Sequence, residues 1–314
     1  VVTPPLNPDM MPNFIKSLGM TTITNRLSQK VVMSCILPVL IIPTVIQRDV
    51  ENTNMKLMII PDPHAHPDYN NERFRAAGRL LMEEQPECVV CLGDLADLPS
   101  LSSYDRGTKG FEGRRYKKDV AATINAQELL FEAMTIHNAR KRRNGKKQYR
   151  PRLVMCIGNH EDRITRAINS QAELDGTIGI EDLQYEGFGW EIVPFKQCVT
   201  IEGITFSHYF TAGISGRPIS SLHIGHTLVS KLHCSAVQGH SHLYNHAEHT
   251  RPDGQKIFGL SAGCFSHPEY SESWCRDTEH QWWRGIVMLE ELDGEGYYDG
   301  VKTVTLRRIM RDYS

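Results

Sequence analysis

The chain has 314 residues, 40% of them hydrophobic and 23% charged, with 35 basic against 37 acidic side chains and a formal net charge of -2. This is the balance of a soluble globular protein long enough to bury a large core, and it excludes a polycationic nucleic-acid or membrane-surface protein as a global reading. Eight cysteines are scattered without a disulfide framework, which fits a reducing compartment and a cytoplasmic location.

Residues 1–54 do not share the pattern of the rest of the chain. They contain an apolar run, Val31 to Ile46, broken by Pro38 and Pro43 and flanked by Arg26, Lys30 and Arg48. A membrane span needs about 20 apolar residues without such breakers, so no membrane partner is expected. The segment is read as an N-terminal extension, disordered or foreign to the native protein, with 55–314 as the catalytic domain.

From Met55 the elements alternate. Leu57–Ile60 reads as a strand and Asn71–Glu84 as a helix, with Phe74, Ala77, Leu80 and Leu81 on its buried side. Cys88–Leu92 is a second buried strand, and its C-x-x-C spacing is read as two core thiols because no second such pair exists. A Gly-rich basic stretch, Arg106 to Lys118, carries Tyr104, Phe111 and Tyr116 in and beside it; a helix follows over Asp119–Asn138, then a dense basic run over 140–152. Leu153–Ile157, Val199–Phe206 and Cys234–Val237 read as further strands, Ser220–His233 as an amphipathic helix, and Pro252-Asp253-Gly254 as a turn before Lys256–Leu260. Gly285–Glu291 and Val301–Arg308 form an expected final strand pair around Asp293-Gly-Glu-Gly296.

Metal-ligand residues stand where these strands end. They read Asp62-Pro-His64, Gly93-Asp94-Leu-Ala-Asp97, Gly158-Asn159-His160-Glu161-Asp162, then His208, then Gly239-His240-Ser-His242. Crevices at strand C-termini are where open α/β sheets bind ligands. Carboxylates, imidazoles and one amide without thiolate suit divalent Mn, Fe or Zn, with Mg a weaker match. The donors exceed the needs of one ion, whereas two ions sharing Asp94 would use them, and a pair of ions about 3.5–4 Å apart is a clamp for phosphoryl displacement. Gly225-His226-Thr227 imitates the last motif but falls inside an expected helix, and His246 and His249 read as solvated neighbours.

The ordered set DxH, GDxxD, GNHE, H, GHxH resembles the calcineurin-like metallophosphoesterase superfamily over roughly residues 55 to 267. The resemblance implies a four-layer α/β sandwich, two mixed β-sheets flanked by helices. It also implies two metal sites, one formed by Asp62, His64, Asp94 and His242, the other by Asp94, Asn159, His208 and His240. By the same similarity a metal-bridging hydroxide attacks phosphorus in line, His160 protonates the leaving oxygen, and Asp97 orients His160 and stabilises its charge. Arg163, at the offset where an arginine meets phosphate in the phosphoprotein-phosphatase branch, and His66, two residues past the first motif, are candidate phosphate contacts.

Independent chemistry agrees. A divalent ion brings the pKa of its water toward ~7, and a carboxylate beside an imidazole favours the protonated donor that an alkoxide leaving group needs. The basic stretches 106–118 and 140–152 are both expected to flank the metal centre, and basic residues with interleaved aromatics suit phosphates and unpaired bases, so the expected substrate is a phosphodiester in nucleic acid or a nucleotide. A phosphomonoesterase of proteins or small metabolites would use the same metal site. A metal-binding interaction scaffold without turnover is the third reading, opposed by the presence of His160 and Asp97.

Overall fold

A computed structural model of the chain describes residues 55–272, 275 and 278–314; the extension expected over 1–54 lies outside them. Among the described residues, eleven strands and five α-helices form two sheets and their covering layers. In the first sheet, β1 (Met55–Ile60), β2 (Cys88–Cys91), β3 (Arg152–Cys156) and β4 (Glu191–Val193) run parallel, extended antiparallel by β10 (Gly285–Leu292) and β11 (Tyr298–Thr305) in the order β11-β10-β1-β2-β3-β4. The second sheet has the order β5-β6-β7-β9-β8, from β5 (Val199–Ile201), β6 (Ile204–Phe206), β7 (Ala236–Gln238), β8 (Tyr244–Thr250) and β9 (Lys256–Ala262).

The period-2 alternation of strand side chains sorts the core into two halves. Met58, Ile60, Val89, Cys91 and Met155 face α1 (Glu72–Glu84), α2 (Tyr116–Arg143) and α5 (Leu306–Tyr313), meeting Phe74, Leu80, Leu81, Leu130 and Ile309. Leu57, Ile59, Cys88, Val90 and Val154 face the second sheet, meeting Ile201, Ile204, Phe206, Val237, Phe258 and Leu260. The outer face of the second sheet is closed by α4 (Ile224–Leu232) through Ile224 and Leu228 against Ala236. Helices, sheet, sheet and helix therefore make four layers, the expected architecture. Cys88 and Cys91 are buried free thiols in this core, and among the described residues no helix is long and apolar enough to cross a membrane.

Several expectations are corrected. Val199–Phe206 is two strands, because Glu202 (φ 47°) and Gly203 (φ 75°) form a tight turn that pairs Ile201 with Ile204. Cys234 precedes the strand rather than opening it, since β7 starts at Ala236. The final strand stops at Thr305, whose hydroxyl accepts from Arg308 N at 3.3 Å and caps α5; Leu306 and Ile309, three residues apart, are buried as one helical face. α2 runs from Tyr116 to Arg143 and takes in Lys117 and Lys118 from the first basic stretch and Arg140 to Arg143 from the second; the latter four form its last turn, where cations complement the helix dipole.

The run 140–152 does not flank the metal-ligand residues. It enters β3 at Arg152, and the ligands leave β3 five residues later, on the order of 17 Å away along the strand. Arg152 there pairs with Glu191 at 2.8 Å, and Tyr149 OH donates to Pro86 O at 2.6 Å.

Candidate metal centre

The residues following β1, β2, β3, β6 and β7 converge at one end of the two sheets. Three overlapping groups result, Asp62–His64–His242, His64–Asp94–His160 and Asp94–His208–His240, each with ligand atoms within 4.8 Å of one another. Asp62, His64, Asp94, His208 and His242 are buried, and Asn159 and His240 are half-buried at the mouth. His208 Nε2 is 2.8 Å from Asn159 Oδ1 and 3.3 Å from Asp94 Oδ2, which brings the amide to the second group.

The backbone that holds these groups is strained. Asp62, His64, Asp94, His240 and His242 all have φ between 38° and 66°, a left-handed conformation that costs a non-glycine residue about 1–2 kcal/mol. Such outliers persist where surrounding contacts over-determine them, and they cluster at functional sites. The contacts here are specific. Asp94 Oδ1 accepts from His160 N at 2.8 Å, and Asp62 Oδ1 from His240 N at 2.8 Å. Glu161 accepts from Asp94 N, Gly158 N and Ala96 N at 2.9–3.0 Å and from Tyr185 OH at 2.9 Å, tying the loops after β2 and β3 into one unit.

The glycines of the motifs leave room for the carboxylates. A Cβ on Gly158 would lie 2.1 Å from Asp94 Oδ1, and one on Gly239 would lie 2.0 Å from Asp62 Oδ2. Either distance is far inside van der Waals contact, so only glycine lets the neighbouring loop approach the acid this closely.

Electrostatics divide the imidazoles. Burial, then the charge of His208, pulls His240 down to about 3; burial, then His64, pulls His242 well below the ordinary histidine value. Both are therefore neutral, as imidazole ligands must be. His208 and His160 would also be lowered by burial, but the carboxylates around them win and raise each to about 9: Asp94 and Asp62 at His208, Asp94 and Asp97 at His160. Asp97 would itself be raised by burial, yet hydrogen bonds from His160 and His64 hold it well below the usual carboxylate range. Burial raises Asp62 well above its normal value.

The donor set fits divalent cations. Asp62 Oδ2, His240 Nδ1 and His242 Nδ1 are buried without a hydrogen-bond partner, a costly state for polar atoms in a packed interior. His64 Nε2 and His242 Nε2 face each other at 3.1 Å, which two neutral imidazoles with outward lone pairs accommodate only around a shared proton or cation.

His160 Nδ1 donates to Asp97 O at 2.9 Å and lies 3.1 Å from Asp97 Oδ1, while its Nε2 faces Arg163 Nη2 at 3.1 Å. Arg163 also donates to Asp97 O at 2.8 Å, so the guanidinium is held against the same loop. His66 lies on the cleft wall with Nε2 3.7 Å from Asp97 Oδ2. The cleft over the centre has a volume of about 1030 Å³, and Lys109, Arg114, Arg163, Arg166, Lys196 and the aromatic pair Phe195–Tyr209 line it. The loop 106–118 thus reaches the cleft through Lys109 and Arg114, the latter clamped to Asp105 at 2.6 Å and Pro99 O at 3.0 Å. His226 is exposed on α4, His249 is exposed on β8, and His246 bonds Tyr298 OH at 2.6 Å, so none belongs to the three groups.

Sequence reasoning missed Arg73, Tyr185 and Tyr270. Arg73 is buried in α1 and donates to Pro63 O at 2.7 Å, His64 O at 3.0 Å and Phe265 O at 3.0 Å, fixing the first motif to the segment after β9. An arginine on the apolar side of an otherwise hydrophobic helix face was the available signal.

No protein-family model and no curated protein matches the chain. Among solved structures it is similar to Yfce, a phosphoesterase from E. coli, at 16% identity and a TM-score of 0.33, covering 80% of this chain and 100% of that one. Overlap at that level adds nothing to what the site's own geometry carries.

Proposed function

We propose that this protein is a phosphoester hydrolase dependent on two divalent metal ions, of the calcineurin-like kind, and that it acts on phosphodiesters of nucleic acid or nucleotides. The observation that carries the reading is three His/Asp groups chained through His64 and Asp94 at the floor of a cleft whose walls bring Lys109, Arg163 and Lys196 over them. Asp62, His64, Asp94 and His242 would hold one ion; Asp94, Asn159, His208 and His240 would hold the other, with Mn, Fe or Zn matching the donors. When bound, such a pair supplies Lewis acidity toward the phosphoryl group and a nucleophile at neutral pH.

The protein's own residues do the rest. His160 holds its Nδ1 proton on Asp97 O, and the Asp94 and Asp97 carboxylates, acting against burial and Arg163, raise it to about 9, which favours a second proton at Nε2. That second proton then faces an Arg163 N–H across 3.1 Å, two donors turned toward each other, with the Glu272 carboxylate 3.8 Å from Nε2. An oxyanion entering there satisfies both, which supports a phosphate oxygen beside Arg163 and proton delivery from His160 Nε2 to the leaving oxygen. Lys109 and Lys196 offer further positive charge along the cleft, and Phe195 and Tyr209 offer ring surface. Arg114 and Arg166 are paired with Asp105 and Asp162, so Lys109, Arg163 and Lys196 carry the attraction for phosphate; with the aromatic rings beside them, an open cleft of this size favours a strand or nucleotide over a compact metabolite.

The test uses the full-length protein with Mn²⁺ or with chelator, offering bis-p-nitrophenyl phosphate, p-nitrophenyl phosphate and single-stranded DNA in parallel. Metal-dependent preference for the diester, with DNA cleavage suppressed as salt rises, is the expected result. Monoester preference with intact DNA would replace this reading with a phosphatase.

A further inference from the structure

The Asp97 carboxylate serves more than His160. Its Oδ1 also lies 3.0 Å from His64 Nδ1 and receives Tyr270 OH at 2.6 Å, so one oxygen gathers the proton-donor histidine, a metal-ligand histidine and a phenol. The Tyr270 ring stacks on His64 with centroids 4.6 Å apart and an interplanar angle of 18°, and its hydroxyl stands 3.3 Å from His64 Nδ1. All four side chains are buried.

The segment that brings Tyr270 there is well anchored. Tyr270 N donates to His267 O at 2.9 Å, Arg284 donates to Tyr270 O at 3.2 Å, and the ring packs with Cys264, Cys275 and Trp282. Trp282 in turn stands edge-on to His242 at 4.3 Å and 88°. The stretch between β9 and β10 thus walls the first ligand group with two aromatic residues, one against each of its histidines.

We infer that Tyr270 is a positioning residue that couples the two halves of the centre, anchoring the Asp97 carboxylate so that its Oδ1 fixes His64 by its Nδ1 proton and holds negative charge 3.1 Å from His160 Nδ1, whose proton rests on Asp97 O. This rests on the hydrolase reading above. An Nδ1–H on His64 leaves its Nε2 lone pair turned toward His242 and Asp62, the atom through which it would ligate. The phenol supplies Asp97 with a donor that does not depend on either histidine. Without it the carboxylate keeps only the imidazoles as partners and can turn toward His66, 3.7 Å from Oδ2, which loosens His64 and withdraws charge from His160 while the contact of His160 with Asp97 O remains. The stacked ring meanwhile keeps the His64 plane in register.

Tyr270→Phe keeps the ring and removes only the hydroxyl. In the full-length protein, Mn²⁺ affinity by calorimetry should fall by roughly 10-fold or more, in the range that loss of a ligand's hydrogen-bond partner produces. The rate should fall more for an alkyl than for a p-nitrophenyl leaving group, a selectivity that a general loss of packing would not create. Nitrogen-15 NMR of the histidines in the wild-type protein provides a readout independent of any variant, with His64 protonated at Nδ1. A wild type that binds Mn²⁺ and turns over, beside a Tyr270→Phe protein with unchanged affinity and leaving-group dependence, would overturn the inference and leave the hydrolase reading standing. His64 found protonated at Nε2 would do the same. A wild type that neither binds Mn²⁺ nor hydrolyses a phosphoester would remove the hydrolase reading and this inference with it.

Discussion

Gly158→Ala is the smallest change that should disable the centre. The added methyl would start 2.1 Å from Asp94 Oδ1, 2.5 Å from Asp94 N and 2.8 Å from Asp94 Cγ. Ordinary contact is about 3.4–4 Å, so the carboxylate and the Gly158 backbone must separate by more than 1 Å. Neither moves freely. Asp94 is held by His160 N at 2.8 Å, and Asp94 N and Gly158 N are both bound to Glu161 Oε2. Separation therefore breaks at least one hydrogen bond to a charged group, worth about 1.5–3 kcal/mol. Overpacking adds about 1–3 kcal/mol. Asp94 belongs to two of the three ligand groups, so its displacement should weaken both sites together. The expected outcome is a thermal midpoint lowered by several degrees in chelator and a loss of Mn²⁺ binding of at least roughly 10-fold at both sites. The assay is calorimetric titration of the full-length variant beside melting curves with and without Mn²⁺. A variant that binds Mn²⁺ within twofold of wild type would refute the claim that this glycine exists to admit Asp94.

Three other contacts carry outcomes of their own. Arg73→Met should cost roughly 3 kcal/mol or more in urea unfolding, because it orphans the carbonyls of Pro63, His64 and Phe265 in the interior; a cost below about 1 kcal/mol would mean those carbonyls find other donors. Asp119 accepts from Ser100 N at 3.0 Å but has no partner for Oδ1, and burial, against the Ser100 hydrogen bonds, raises it from 3.8 to about 6. The folded state thus keeps this proton where the unfolded chain releases it, so stability falls as pH rises from about 4 to about 6, by at most roughly 3 kcal/mol. Asp119→Asn should flatten that slope and raise stability at neutral pH, and an unchanged slope would show that another group carries it. Finally, His160→Ala should cut turnover of an alkyl phosphodiester by about 10²–10⁴ while sparing a p-nitrophenyl ester far more; equal losses on both would remove His160 from the acid role.

The layers and the floor of the site were legible because both depend on short-range patterns. Buried strands read as apolar runs, and their ends carry Asp62, Asp94, Asn159 and His240 whichever way the intervening helices pack. What escaped depended on distance or on a single torsion. The turn at Glu202–Gly203 needs positive φ at a glutamate, so Val199–Phe206 reads as one strand until the backbone is known. α5 follows β11 without a break, and only the Thr305 cap marks the change. Tyr270 lies 206 residues from His64, and Tyr185 24 residues from Glu161, separations across which no periodicity runs. The basic run 140–152 shows the converse error. Proximity in sequence to Gly158 suggested a place beside the centre, but a strand stands between them and carries one to the opposite end of the sheet.

The most direct test of the central claim is metal stoichiometry. The full-length protein, stripped with chelator and titrated with Mn²⁺ by calorimetry, should take up two ions per chain, and Asp94→Ala should lose both while Asp62→Ala and His240→Ala each impair one. A single equivalent in the wild type, or an Asp94→Ala protein that still binds two ions, would contradict a centre built on a shared Asp94.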